Sequence, residues 1–130
     1  MSVEENLELI RRRFDEHPIL ADGEEALVAI YSPEVVLHGP GESFIGIDGI
    51  KRAAAATRAA FSEIEMSVVS MSPSGDDRVV TQITGHSVHT GEFQGVEPTG
   101  KRITVTAMVV SRIADGRIVE EWRNMTWGPS

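Results

Sequence analysis

The second half of the chain constrains the fold most. From Ile64 onward, "EMSVVSMS", "DRVVTQITGHSVHTGEF", "KRITVTAMVVSRI" and "RIVEEWRNMTW" are long segments rich in β-branched residues. They are separated by "PSGDD", "QGVEPTG" and "ADG". Val, Ile and Thr suit a pleated strand and Gly, Asp and Pro punctuate it, so these segments predict four long strands. Asp115-Gly116 is a hairpin signal in its own right. The pattern predicts an antiparallel meander.

The first half reads differently. In "SVEENLELIRRRFDEH" the apolar residues Val3, Leu7, Ile10 and Phe14 recur at helical spacing. Glu4, Glu5 and Glu8 come early and Arg11, Arg12 and Arg13 late, as the helix dipole favours. The arginine run reads as a solvated face, and Pro18 as the stop. "GEEALVAIY" predicts a second helix, capped by Asp22 and stopped by Ser32-Pro33. "EVVLHG" and "SFIG" predict strands around the turn "GPGE". Asp48 would cap a third helix, "GIKRAAAATRAAF", with Ile50, Ala53, Ala54, Thr57 and Phe61 on one face. Helices followed by a meander define an α+β architecture, expected here as one domain over residues 1–130.

Charge and composition narrow the function. Twenty acidic residues against twelve basic ones give a net charge of -8, which argues against a phosphate-backbone partner. No apolar run approaches the ~20 residues of a membrane span. "MSVEENLEL" lacks the apolar stretch of a signal peptide, so a soluble cytoplasmic protein is expected. Without cysteine there are no disulfides and no thiolate metal sites.

Two motifs fail on inspection. Gly95 to Lys101 spells G-x-x-x-x-G-K, but Arg102 replaces the Ser or Thr of a phosphate-binding loop, and a strand follows instead of a helix. His86 and His89 form H-x-x-H, yet residues three apart on a strand point to opposite faces, so no shared metal is expected. No G-x-S-x-G supports a nucleophilic serine. His38, at the end of an apolar strand, suits either backbone capping or proton transfer at a pocket mouth.

The closing strand carries more. If it is extended, Ile118, Glu120, Trp122, Asn124 and Thr126 share one face, and Val119, Glu121, Arg123, Met125 and Trp127 the other. The first face mixes apolar surface with a few polar groups, as a small-molecule pocket does. The second suits a partner surface anchored by Met125 and Trp127. An ordinary amphipathic sheet would read the same way.

"YSPEVVLHGP", "GIDGIK", "HTGEFQGVEPTGK" and "SRIADGRIVEEW", in that order after an N-terminal helix, resemble the SnoaL-like polyketide cyclase and ester-cyclase group of the nuclear transport factor two-like superfamily. The most specific matches are "G-x-x-PTGK" ending at Lys101 and "DG-x-IVEEW" from Asp115 to Trp122. The resemblance implies a cone: a strongly curved antiparallel sheet packed against three N-terminal helices around a deep apolar pocket. It also implies cofactor-free acid–base chemistry on hydrophobic ring systems and a homodimer through the outer sheet face. The family pattern W-x-x-x-D would place its general acid/base at position 126, where this chain has Thr126. A threonine hydroxyl does not take up a proton near neutral pH. The replacement candidates are Glu120, His38 and His86; burial beside Trp122 would raise the Glu120 carboxyl. Phe14, Phe61, Trp122, Ile83 and Met108 would shape the pocket, and Asn124 and Thr126 would orient a substrate carbonyl. The expected function is cyclisation or isomerisation of a small hydrophobic oxygenated ring compound. The alternatives are epoxide opening and non-catalytic ligand binding.

Overall fold

Ser2 and Glu5 open the first helix by exchanging hydrogen bonds: the Glu5 amide donates to Ser2 Oγ and the Ser2 amide to Glu5 Oε1, both at 3.1 Å. This reciprocal cap satisfies amides that a helix start leaves without partners. The computed structural model of the protein describes residues 2–15, 24–39, 41–93 and 95–129. The expected stop at Pro18 and cap at Asp22 lie outside the described residues, as do Pro40 and Gln94 of the expected turns.

Helix α1 (Val3–Asp15) buries Asn6, Leu9, Ile10, Arg13 and Phe14. The buried face is therefore rotated from the expected stripe: Val3 is exposed and Arg13 turns inward. Burying Ile10 and Phe14 contributes about 1.5–3 kcal/mol each. Asn6 Nδ2 donates to the Asp76 carbonyl at 2.9 Å, tying the helix to a distant hairpin.

Helix α2 (Glu24–Ile30) leads into strand β1 (Tyr31–Gly39), which pairs with the short β2 (Glu42–Ile45). Helix α3 (Gly46–Ala60) follows. Asp48 does not cap it: the helix begins after Ile45 with no side-chain cap, and Asp48 sits in the first turn, where a carboxylate still meets the positive end. Ile50, Ala53 and Ala54 face the core. Phe61 leaves the helix altogether, taking extended dihedrals and starting β3.

Strands β3 (Phe61–Ser74), β4 (Arg78–His89), β5 (Arg102–Ala114) and β6 (Arg117–Pro129) form the antiparallel meander. The sheet order is β2-β1-β6-β5-β4-β3, with β1 added parallel to β6. The result is an α+β fold, one curved six-stranded sheet that does not close, with the helices on its concave side. Bulges bend it. In β3 the register slips between Ser62 and Glu65 and again between Val68 and Ser70. In β6 the pairs Arg112↔Glu120 and Ile113↔Ile118 leave Val119 without a partner.

That last bulge sets which side chains of β6 enter the fold. Ile118 and Glu121 are both fully buried although three residues apart. Beyond the bulge the inward alternation is Glu121, Arg123, Met125 and Trp127, while Glu120, Trp122, Asn124 and Thr126 point to the convex side. This reverses the phase read from the sequence. An unbroken alternation from Ile118 holds only without the extra residue.

A candidate active-site cavity with a charged floor

The concave side encloses a cavity of about 740 Å³. That lies within the ~300–1,000 Å³ of small-molecule sites. Phe14, Leu37, Phe44, Met66, Val109 and Met125 give it apolar walls. Small residues make its room: Ala53 and Ala56 on α3, and Ala107 on β5. The expected lining residues Phe14 and Ile83 are here.

The segment after β4 forms part of the wall through Glu92 and Phe93. It leaves the strand by a tight path, with the Thr90 and Gly91 amides both donating to the Ala60 carbonyl at 2.9 Å. A Cβ on Gly91 would overlap the Ala59 carbonyl oxygen, so only glycine lets the backbone pass this close.

The floor is charged. Glu121, fully buried, accepts from Arg13 Nε at 3.1 Å and Nη2 at 2.9 Å, and from Ser111 Oγ at 2.9 Å. Its Oε1 also accepts from Arg123 Nε at 3.2 Å and Nη2 at 3.0 Å. Burial would raise the Glu121 carboxyl, but Arg13 and then Arg123, with the bonds from Arg13 and Ser111, hold it down at about 2. It is a carboxylate throughout the physiological range and a poor base. Burial draws the Arg123 guanidinium down from its ordinary value, against the pull of Glu121. Arg123 keeps 19 % side-chain exposure and lines the cavity, and its bonds to Glu121 come from Nε and Nη2. Tyr31 is fully buried near both guanidiniums, and among the described residues its hydroxyl makes no hydrogen bond of good geometry. Glu42 and Glu92 are carboxylates on the lining; both are exposed, which places them at the mouth.

The expected proton-transfer residues lie elsewhere. Glu120 and His38 are on the convex side, joined by His38 Nε2 and Glu120 Oε2 at 2.7 Å. Arg112 Nη2 donates to Glu120 Oε1 at 3.1 Å, and Ser43 Oγ lies 3.3 Å from His38 Nδ1. The hydrogen bond to His38 is the main cause that lowers the Glu120 carboxyl, against partial burial and with help from Arg112. The shift is therefore opposite to the rise expected beside Trp122. Trp122 stacks on His38 at 5.5 Å outside the cavity. His86 is exposed on the convex side, near Thr104 Oγ1 at 3.3 Å. Asn124, Thr126 and Met108 border a shallow convex depression with Gln82. Phe61 packs in a second cluster with His89, Phe93 and Trp127.

Arg13, Glu121 and Arg123 are the residues the sequence reading missed. Position 13 is three beyond Ile10 and four beyond Leu9, so helical spacing alone places it on the buried face. Among the described residues no group of three or more His, Asp or Glu side chains is placed to hold a metal. No helix among them is long and apolar enough to cross a membrane.

A curved open sheet with helices on its concave side and a cavity between them defines the nuclear transport factor two-like class of folds. Within that class, the profile of the SnoaL-like polyketide cyclase family matches residues 10–125, and the chain belongs to that family. Among solved structures it is similar to a protein from Jannaschia sp. CCS1 described as a SnoaL-like polyketide cyclase. The two share 26 % identity with a TM-score of 0.81 over 94 % of this chain and 85 % of that one. It is similar to IdmH of Streptomyces antibioticus, described as a polyketide cyclase, at 27 % identity and a TM-score of 0.72, covering 92 % and 91 %. It also resembles AclR of Streptomyces galilaeus, described as a hydroxylase, at 26 % identity and a TM-score of 0.74, covering 96 % and 77 %. No curated protein matches the chain.

Proposed function

We propose that the protein is a cofactor-independent acid–base enzyme that ionises a carbon next to a carbonyl in a small hydrophobic ring compound, leading to cyclisation or isomerisation. The observation that carries this reading is the apolar cavity with Arg123 partly open to it on the floor. The ring body packs against Phe14, Phe44, Met66 and Met125, and the carbonyl oxygen accepts from Arg123 Nη1. The proton leaves the adjacent carbon for water in the cavity, with Glu42 and Glu92 at the mouth passing it to solvent, and the electron pair moves onto the oxygen. The enolate carbon then attacks a second carbonyl of the same molecule, whose C=O π pair moves onto its oxygen and takes a proton from water to give an alcohol; where a C=C is conjugated to the carbonyl, the dienolate is instead reprotonated at its far carbon. Arg123 stabilises charge that develops only as the proton leaves, which is where binding accelerates a reaction. The descriptions of the Jannaschia and S. antibioticus proteins support the cyclase form of this reading.

Deuterium incorporation into 2-tetralone in heavy water, followed by proton NMR, tests the proposal without the natural substrate. The protein should accelerate exchange above buffer, and Arg123→Met should slow it by about 10²-fold. Absence of acceleration would leave a binding protein on the same fold. We also propose that two copies pair through the convex face of β4, β5 and β6, where Met108 is 46 % exposed beside Gln82 and Asn124.

A further inference from the structure

The floor of the cavity holds a buried cation, a partly buried cation and one buried anion. Arg13 is 3 % exposed and Glu121 not at all, and Arg123 is partly open to the cavity. Both guanidiniums spend hydrogen bonds on the same carboxylate, and Arg123 spends both of its bonds on the single oxygen Oε1. Ser111 and Tyr31, polar neighbours of the cluster, are neutral. Among the described residues one positive charge is thus uncompensated at the closed end of an apolar chamber. The mouth carboxylates Glu42 and Glu92 are exposed and solvated, so water screens them from the floor. A buried charge without a partner is unfavourable, and a guanidinium is a fork matched to an oxyanion.

We infer that the physiological ligand carries a delocalised oxyanion when bound, a carboxylate or an ionised 1,3-dicarbonyl, seated on Arg123 with its hydrocarbon body against the apolar walls. The inference rests on the cavity being the ligand site. It also fits the floor as the described residues build it: Glu121 is committed to two guanidiniums, and an anion that arrives ionised needs no proton removed there. For a 1,3-dicarbonyl, the C–H proton is released to solvent on ionisation and the electron pair is shared by the two oxygens. No oxidant or co-reactant enters.

Calorimetric titration at neutral pH with 2-naphthoate, its methyl ester and 2-acetyl-1-tetralone tests this, because the three share a two-ring body. Naphthoate should bind about 10- to 100-fold more tightly than its ester, the range expected for a charge-assisted hydrogen bond. Arg123→Met should remove the preference and keep ester binding, and Arg123→Lys should retain part of it. For the diketone, the red-shifted absorption of the enolate should grow on binding. A preference confined to naphthoate identifies a carboxylate ligand, and one confined to the diketone identifies an enolate; either supports the inference. Equal binding of acid and ester, with no enolate band, overturns it while leaving the cavity as the ligand site. Failure of all three probes to bind would overturn the cavity reading as well.

Discussion

Glu121→Gln is the most informative single change, because Glu121 joins the helix α1 cation to the floor of the cavity. The substitution keeps the shape but removes the anion between Arg13 and Arg123, which lie 2.9 Å and 3.0 Å from its Oε1. Breaking a buried pair from one side costs about 3–5 kcal/mol, since the partner charges stay buried. A second route gives a similar figure. The carboxyl falls from 4.5 to about 2, and about 1.4 kcal/mol per tenfold change makes this about 3 kcal/mol. The folded-state value is the depressed one, so this stability is fully present above about pH 5 and is lost as pH falls toward 2. Domains of this size lose roughly 3–5 °C of Tm per kcal/mol, so the variant should melt about 10–20 °C lower at pH 7. Its melting should also depend less on pH between 5 and 2 than the wild type's. Circular dichroism melts across that range provide the assay. A variant within about 2 °C of wild type at pH 7, with the wild-type acid slope, would refute the assigned network.

Three further outcomes follow from the geometry. Thr126→Asp puts an acid at the family position, but on the convex side; stability should change by no more than about 0.5 kcal/mol and 2-tetralone exchange should not rise. His89 is fully buried with neither ring nitrogen bonded among the described residues, so His89→Leu should stabilise the fold by about 1 kcal/mol in urea titrations, and a loss above that size would argue for a missing partner. Met108→Glu should lower the sedimenting mass to that of one chain if the convex face pairs two copies, and an unchanged dimer would exclude that face.

Helix, strand and hairpin signals carried the fold because each is local: β-branched runs, the Asp115-Gly116 turn and the alanines of α3 act through their own backbone preferences. The bulge at Val119 is not local. It arises where β6 pairs with β5 and β1 together, and no residue type announces it, so the pocket face of β6 was assigned to the wrong alternation. The consequence reached Glu120, Trp122, Asn124 and Thr126 at once. Arg13 was legible, since its place between Leu9, Ile10 and Phe14 marks the buried face, but a run of three arginines reads as solvated until a partner is found. That partner, Glu121, is more than a hundred residues away in sequence, and no spacing rule connects them. His86 and His89 could be separated in advance, because strand alternation alone puts them on opposite faces.

The central claim is that ligands enter the concave cavity beside Arg123 and leave the convex face untouched. Methionine methyl groups report on both sides: Met66 and Met125 line the cavity, whereas Met108 is on the outer face. With ¹³C-methyl methionine, addition of 2-tetralone or 2-naphthoate should move the Met66 and Met125 resonances and leave Met108 in place. Movement of Met108 with Met66 and Met125 unchanged would contradict the account.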